Sequence, residues 1–208
     1  MIELFLSAFI TLFVVIDPPG CAPIYAGLTS GATAAQRRSM GLRAVAIAAC
    51  ILVLFAFAGR PLLHLLGIGL DAFRIAGGIM LFFIALEMVF ERQTRRREDR
   101  ARKIEETPEV EDVSVFPMAM PMIAGPGSIA TIMLLMTQAQ GGAQRALVLA
   151  ALALNLLLML GSLLLAGPLM RLVGEKVEAV VTRVLGVLLG ALAVQFVLDG
   201  IRGALGSA

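Results

Sequence analysis

The sequence has few of the residues from which metal centres and disulfide frameworks are built. Its 208 residues include two cysteines and one histidine, and 15% of the residues are charged. Two cysteines provide neither a disulfide framework nor a metal cluster. Since Cys21 and Cys50 both lie in apolar stretches, we predict that both are small buried side chains. We expect no cofactor, no metal site and no nucleic-acid partner.

Basic residues are missing from the start of the chain. No lysine or arginine precedes Arg37. A secretory signal peptide begins with a positively charged region, whereas this N-terminus offers Glu3. We therefore expect the first apolar segment to stay in the protein.

Long apolar stretches make up most of the chain. Hydrophobic residues account for 59% of the sequence, and the mean hydropathy is +0.93. A membrane-crossing helix needs about 20 apolar residues. Four stretches approach or exceed that length, and two more are interrupted; they are 41–59, 72–90, 146–167 and 180–201, then 4–28 and 115–137. This pattern predicts an all-α integral membrane protein with six transmembrane helices.

The distribution of basic residues predicts the orientation. With the N-terminus outside, thirteen of the 17 lysines and arginines fall on the inner side. The four on the outer side are Arg60, Arg74, Arg145 and Arg202. Because loops on the inner side are enriched in basic residues, we expect both termini to be outside.

The chain resembles itself at an offset of 107 residues. Pro19-Gly20 then aligns with Pro126-Gly127, and "PLLHLLG" (61–67) aligns with "PLMRLVG" (168–174). After a two-residue insertion, "RIAGG" aligns with "RVLGV". Because each half has three spans, an odd number, the halves must enter the membrane from opposite sides. The sequence thus predicts an inverted repeat, which is a transporter architecture.

The predicted organisation has three parts. The first repeat covers 1–90 and contains a broken first helix and two whole helices. A charged cytoplasmic connector covers 91–114. The second repeat covers 115–208 and has the same order of one broken helix and two whole ones.

Each repeat interrupts its first apolar stretch with proline and glycine, in "IDPPGCAP" (16–23) and "PMIAGPGSIATIM" (121–133). Since proline lacks an N–H, Pro18 and Pro19 leave the carbonyls of Val14 and Val15 without a helical donor. Unsatisfied backbone groups are costly in hydrocarbon and are tolerated only inside protein or beside a wet cavity. We therefore expect the two breaks to meet near the middle of the membrane.

The ends of the half-helices at each break have complementary charge. The half-helix after the break begins with free N–H groups and a positive dipole end, which suit an anion. The half-helix before it ends in free carbonyls, which suit a cation. A small zwitterion such as an amino acid matches both.

Asp17 distinguishes the first break, because Ala124 stands at the aligned position of the second. The side chain of Asp17 either caps the following half-helix or serves as a functional charge at membrane depth, and both interpretations stay open. If Asp17 caps, we expect a substrate carboxylate at the N–H groups of Gly127, Ser128 and Ile129. Asp17 then lies near the substrate ammonium or acts as a proton site. The predicted substrate-binding residues are Asp17, Pro18, Pro19, Gly20, Gly125, Pro126, Gly127, Ser128, Ile129 and Asn155.

Several other residues have a packing interpretation. Asn155 lies in the middle of the fifth span, where an interhelical hydrogen bond is as reasonable as a substrate contact. Thr131, one turn into the second half-helix, is interpreted as bonding its own backbone. Glycines in the third and sixth spans, including Gly78 and Gly186, predict close helix packing.

Four stretches of the sequence resemble one known family, and together they cover nearly the whole chain. They are "IDPPGCAPIYAGLT" (16–29), "RIAGGIMLFFIALEM" (74–88), "PMAMPMIAGPGSIATIML" (117–134) and "RVLGVLLGALAVQFVLDGI" (183–201). They resemble the MarC family, also called the SnatA-type small neutral amino acid transporters, in which Pro19 is a mild variation. The resemblance implies a bacterial inner-membrane protein that exports alanine, glycine, serine or threonine.

Three other functions compete with a carrier. An intramembrane enzyme would need a partner for Ser128, but the one histidine, His64, falls in a predicted external loop. A channel also lines its pore with helix breaks. A purely structural role leaves two costly breaks unexplained. A proton or sodium ion as the coupling ion, and assembly into a homo-oligomer, stay open.

Overall fold

The computed structural model describes residues 1–90 and 112–206, without the side chains of 167–179, 181, 182 and 206. The predicted connector lies mostly outside the described residues. Every element within the two described ranges is helical. The helices are α1 (Ile2–Ile16), α2 (Pro18–Leu28), α3 (Ala34–Leu65), α4 (Leu70–Val89), the distorted α5 (Ser114–Ile123), α6 (Pro126–Gln138), α7 (Gly141–Leu164) and α8 (Ala166–Gly206).

These helices are long and apolar enough to cross a membrane. Five segments meet the length and hydropathy of a membrane span: Ile2–Leu28, Ala34–Leu65, Leu70–Val89, Gly141–Leu164 and Arg183–Leu205. The first of them contains both α1 and α2. The pair α5 and α6, which is bent by 52°, supplies a sixth. The prediction of an all-helical membrane protein is therefore confirmed, with five or six spans.

Contacts between helices mostly join the first half of the chain to the second. α1 packs on α7 and α5 packs on α3, while α2 packs on α8 and α6 packs on α4. The most extensive contact joins α4 and α8. If the two halves of the chain are exchanged, the α1–α7 and α3–α5 pairs turn into each other, as do the α2–α8 and α4–α6 pairs. Among the described residues, the contacts of α1 with α6 and with α8 have no counterpart of similar extent. The interlocked arrangement encloses part of each broken span: residues 11–20 and 127–136 are buried or half-buried throughout, whereas Pro126 is exposed.

The close packing predicted at the glycines is found between α4 and α8. A Cβ atom at Gly78 would lie 2.8 Å from the carbonyl oxygen of Ala193, and one at Gly186 would lie 2.9 Å from the Cβ of Met88. Only residues without a side chain let the two backbones approach this closely. The prediction is confirmed at both positions.

The two cysteines differ in exposure. Cys21 is buried, as predicted, and its thiol donates to the carbonyl of Ile16 at 3.7 Å. The prediction that Cys50 is buried is wrong, because Cys50 is exposed on α3. It shares an outward stripe with Val53, Leu54 and Phe57. An apolar residue gains little by turning inward when lipid is as apolar as the protein interior.

The stretch before the second break differs from the regular half-helix that we expected. Phe116 and Met120 have extended conformations, with φ of −127° and −134°. Each stands directly before a proline, Pro117 or Pro121, whose ring disfavours the helical conformation in the preceding residue. α5 is therefore a series of wide, π-helical turns, whereas α1 is a regular helix up to its break at Ile16.

Candidate functional site

The first break is a single residue wide. Asp17 has left-handed φ and ψ of 54° and 62°, a conformation that aspartate tolerates better than most residues. Its N–H donates to the carbonyl of Phe13 at 3.0 Å, which ends α1. The next residue, Pro18, begins α2.

The side chain of Asp17 caps α2. Its Oδ1 accepts from the N–H of Gly20 at 3.1 Å, and the Asp17 carbonyl accepts from the N–H of Cys21 at 3.1 Å. Pro18 and Pro19 have no N–H. Gly20 leaves room for the cap, since any Cβ there would collide with the Asp17 carboxylate. The positive end of α2 is thus already satisfied from within the chain.

The positive end of α6 is open by contrast. Its N-terminal cap is Gly125, and no side chain forms a capping hydrogen bond. Ile129 donates its N–H to the carbonyl of Gly125 at 3.0 Å, so this amide is used inside the helix. We expected three donors here, but two precede that first intrahelical bond, those of Gly127 and Ser128. Both residues are buried.

The open end of α6 lies against the end of α1. A Cβ atom at Gly127 would lie 2.5 Å from Cδ1 of Ile84 on α4 and 3.5 Å from Cγ1 of Val15 on α1. Val15 is two residues before Asp17, and its carbonyl is one of those that the prolines leave without a donor. The first turn of α6 therefore lies beside the side chain of Val15, near the end of α1.

The helix ends that lie here carry opposite partial charges. Two neighbouring N–H groups at a helix N-terminus are matched to the two oxygens of a carboxylate. The C-terminal carbonyls of α1 and the Asp17 carboxylate, which is 1% exposed, supply negative potential nearby. The carbonyl groups of α5 are not arranged as in a regular helix, because its two prolines distort it.

Three predicted site residues do not fit this arrangement. Pro126 is exposed and Ile129 is half-buried. The Nδ2 of Asn155 donates to the carbonyl of Phe9 at 3.1 Å and to that of Ala151 at 2.9 Å. Phe9 precedes Asp17 by eight residues, which is roughly 12 Å along a helix. The structure therefore does not bring Asn155 to the breaks, and its interhelical hydrogen bond is present.

Thr131 differs from its prediction. Its hydroxyl is fully buried and has no hydrogen-bond partner among the described residues, so the predicted bond to its own backbone is absent. Thr131 follows Gly127 by four residues and Ser128 by three, which sets all three on one face of α6. Ile84 was missed altogether, because no local pattern indicates which residue of α4 faces Gly127.

Comparison with known proteins agrees with the helical, membrane-spanning character of the chain. The description "MarC family integral membrane protein" belongs to a family model that matches residues 2–205. A UPF0056 membrane protein of Methanocaldococcus jannaschii is 36% identical over 204 residues, covering 98% of each chain. The UPF0056 membrane protein YhcE of Escherichia coli is 35% identical, covering 94% of this chain and 90% of its own.

A further relative is the UPF0056 membrane protein YvbG of Bacillus subtilis, which is 33% identical over 98% of this chain and 96% of its own. The names of these three relatives state a membrane location and no substrate. No solved structure matches the chain significantly.

Proposed function

The chain belongs to the MarC family of integral membrane proteins, and from this premise we propose that it is a transporter of small neutral amino acids. The proposed substrates are alanine, glycine, serine and threonine, and the proposed direction is export, as in SnatA-type transporters. The proposed site comprises the N–H groups of Gly127 and Ser128, the carbonyls of Val14 and Val15, and the side chain of Asp17.

One observation carries the proposal. At the uncapped N-terminus of α6, a Cβ atom at Gly127 would lie in van der Waals contact with Val15, near the end of α1 where the prolines remove helical donors. Among the described residues, the N–H groups at the start of α6 lack acceptors, and the carbonyls at the end of α1 lack helical donors. A small ligand with both charges would satisfy both sets of buried groups. The side chain of an amino acid as small as alanine adds little volume to those two charged groups.

The proposed mechanism is alternating access around this site. Supporting this, the α1–α7 and α3–α5 contacts turn into each other when the two halves of the chain are exchanged, as do the α2–α8 and α4–α6 contacts. Such a pattern is what two inverted repeats related by an axis in the membrane plane produce. Rocking one repeat against the other would open the pair of breaks to each side in turn.

The proposed location is the bacterial inner membrane, with both termini outside. The bacterial relatives and the uneven distribution of basic residues support it. In this orientation, the short connections after α3 and before α7 face outward.

We also propose that the protein is not an enzyme. Ser128 is buried at the start of α6, whereas His64 is exposed near the end of α3. A serine nucleophile needs its base within hydrogen-bond reach. No group of three or more metal-binding side chains occurs among residues 1–90 and 112–206 either.

Counterflow in proteoliposomes tests the proposal. Purified protein loaded with unlabelled alanine should accumulate labelled alanine transiently and with saturation. A panel of amino acids then defines specificity, and imposed proton or sodium gradients identify a coupling ion. Flux that rises linearly with concentration would indicate a channel, and no flux of any neutral amino acid would contradict the proposal.

A further inference from the structure

A cavity lies far from the breaks, where α3, α6 and α7 meet. Its volume is about 230 Å³, and its wall includes Phe57, Arg60, Pro61, Thr137 and Arg145. Thr137 is one residue before the end of α6, so the cavity is at the opposite end of that helix from Gly127. It is therefore independent of the proposed transport site.

Both charged residues on the cavity wall are arginines, and neither is neutralised by a carboxylate within the described parts of the chain. Arg74 and Arg202 differ in this respect, since Arg74 pairs with Asp71 at 3.1 Å and Arg202 with Asp199 at 3.8 Å. Two like charges on one small cavity repel each other. An anion between them would offset this repulsion.

The start of α7 adds further positive potential. Arg145 is the fifth residue of α7, which begins at Gly141 and has no side-chain cap. A helix N-terminus carries a partial positive charge, so a cation near it is disfavoured unless an anion is also present. The hydroxyl of Thr137 donates to the carbonyl of Leu134 at 2.7 Å, which leaves anion recognition to the two guanidinium groups.

The apolar part of the wall points to a lipid. Phe57 is 60% exposed and continues the outward stripe of α3 formed by Cys50, Val53 and Leu54. Arg60 follows that stripe toward the end of the span, at the depth where phospholipid head groups lie. Guanidinium groups bind phosphate oxygens in a bidentate geometry. We propose that this cavity binds the phosphate of an anionic phospholipid, whose acyl chains run along the α3 stripe.

Thermal unfolding of the full-length protein in detergent tests the proposal. Phosphatidylglycerol should raise the unfolding temperature of the wild type by several degrees more than phosphatidylcholine does, because only the former has net negative charge. Arg60→Gln with Arg145→Gln should abolish that difference. Arg60→Lys with Arg145→Lys should retain part of it, and the matched control Arg202→Gln should retain all of it.

Three outcomes would overturn the proposal. The first is equal stabilisation of the wild type by the two lipids. The second is a glutamine double variant that keeps the full difference. The third is stabilisation by inorganic phosphate, instead of by phosphatidylglycerol, that depends on both arginines, since that result would assign the cavity to a soluble anion. All the substituted arginine side chains are exposed, so we expect the variants to fold.

Discussion

At the scale of single residues, Asp17 has the capping role, which is one of the two interpretations that its sequence position left open. It ends α1 in a left-handed conformation and caps α2 through its carboxylate. Because the cap occupies the positive end of α2, the only open positive end at the breaks is that of α6. The cap itself needs an oxygen acceptor and no charge, so the contribution of the charge can be tested separately.

The substitution Asp17→Asn keeps the oxygen that caps α2 and removes the negative charge. Asparagine caps about as well as aspartate, so we expect the free energy of unfolding to stay within about 1 kcal/mol of the wild type. If Asp17 faces the ammonium group or carries a proton, alanine counterflow should fall at least about tenfold, as expected for loss of one charge-assisted contact. Wild-type rates from a well-folded variant would remove the charge from the mechanism.

Thr131 offers a second test at this scale. A buried hydroxyl without a partner costs about 1–3 kcal/mol, so Thr131→Val should unfold at the same temperature as the wild type or higher when no amino acid is present. If substrate is the missing partner, alanine should stabilise the wild type and Thr131→Ser more than Thr131→Val. A large drop in the unfolding temperature of Thr131→Val without substrate would instead reveal a structural partner.

At the scale of elements, the local structure of α5 and α6 can be predicted from the sequence, whereas their packing cannot. Gly125, Pro126 and Gly127 correctly mark the start of α6. The irregular turns of α5 follow from Pro117 and Pro121, whose effect on the preceding residues is local and readable from the sequence. The contact of Gly127 with Ile84 and Val15 is not readable, because it depends on how three separate helices pack.

The exposed Cys50 illustrates the same limit. In a soluble protein an apolar residue inside a helix is usually buried. In a membrane protein both faces of a span are apolar. Hydrophobicity alone therefore does not distinguish residues that face lipid from residues that face the protein core. The sequence therefore predicts which residues form spans more reliably than which way each side chain faces.

An ion pair fixes the beginning of α5 to α3. Arg43 and Asp112 approach to 2.6 Å, and Asp112 Oδ1 accepts from the N–H of Ser114 at 3.0 Å. Hydrogen bonds from Ser114, together with the Arg43 charge, hold the pKa of Asp112 below its usual value of 3.8. A carboxylate with a lowered pKa in the folded state stabilises that state when ionised.

The sign of this effect predicts a pH dependence. The stabilisation by Asp112 is complete above about pH 4 and is lost as the pH falls through the lowered pKa. The difference in unfolding temperature between the wild type and Asp112→Asn should be constant from about pH 5 to 8 and shrink below about pH 4. A difference that changed between pH 5 and 8 would show that a group other than Asp112 controls this contact.

At the scale of the whole molecule, the orientation of the chain can be measured directly. Gly31 and Gly69 lie in exposed turns where a Cβ meets no atom within 4 Å, so cysteines there should not disturb the fold. In a background with Cys21→Ala and Cys50→Ala, an impermeant maleimide added to intact cells should label Gly69→Cys. It should label Gly31→Cys only after permeabilisation, and the reverse pattern would invert the topology.

The open N-terminus of α6 and the end of α1 belong to different halves of the chain. Neither half contains both the donors of α6 and the acceptors of α1. The central claim is therefore that a substrate carboxylate binds the open N–H groups at the start of α6, beside the end of α1. Removing one of those donors without otherwise changing the site is the most direct test.

Gly127→Pro removes one donor, and Gly127→Ala is its matched control, because both add a Cβ next to Ile84. Proline is tolerated at this second helical position, as Pro19 is in α2. Including Ile84→Val in both variants removes the Cδ1 atom that either side chain would contact, and Gly161→Ala, in open space on α7, controls for glycine replacement.

The measurement is the alanine concentration that gives half-maximal counterflow in liposomes. The loss of one hydrogen bond to a charged group, about 1.5–3 kcal/mol, predicts a value at least roughly tenfold higher for Gly127→Pro than for Gly127→Ala. Equal values in two well-folded variants would contradict the claim that the N–H groups of α6 bind the substrate carboxylate.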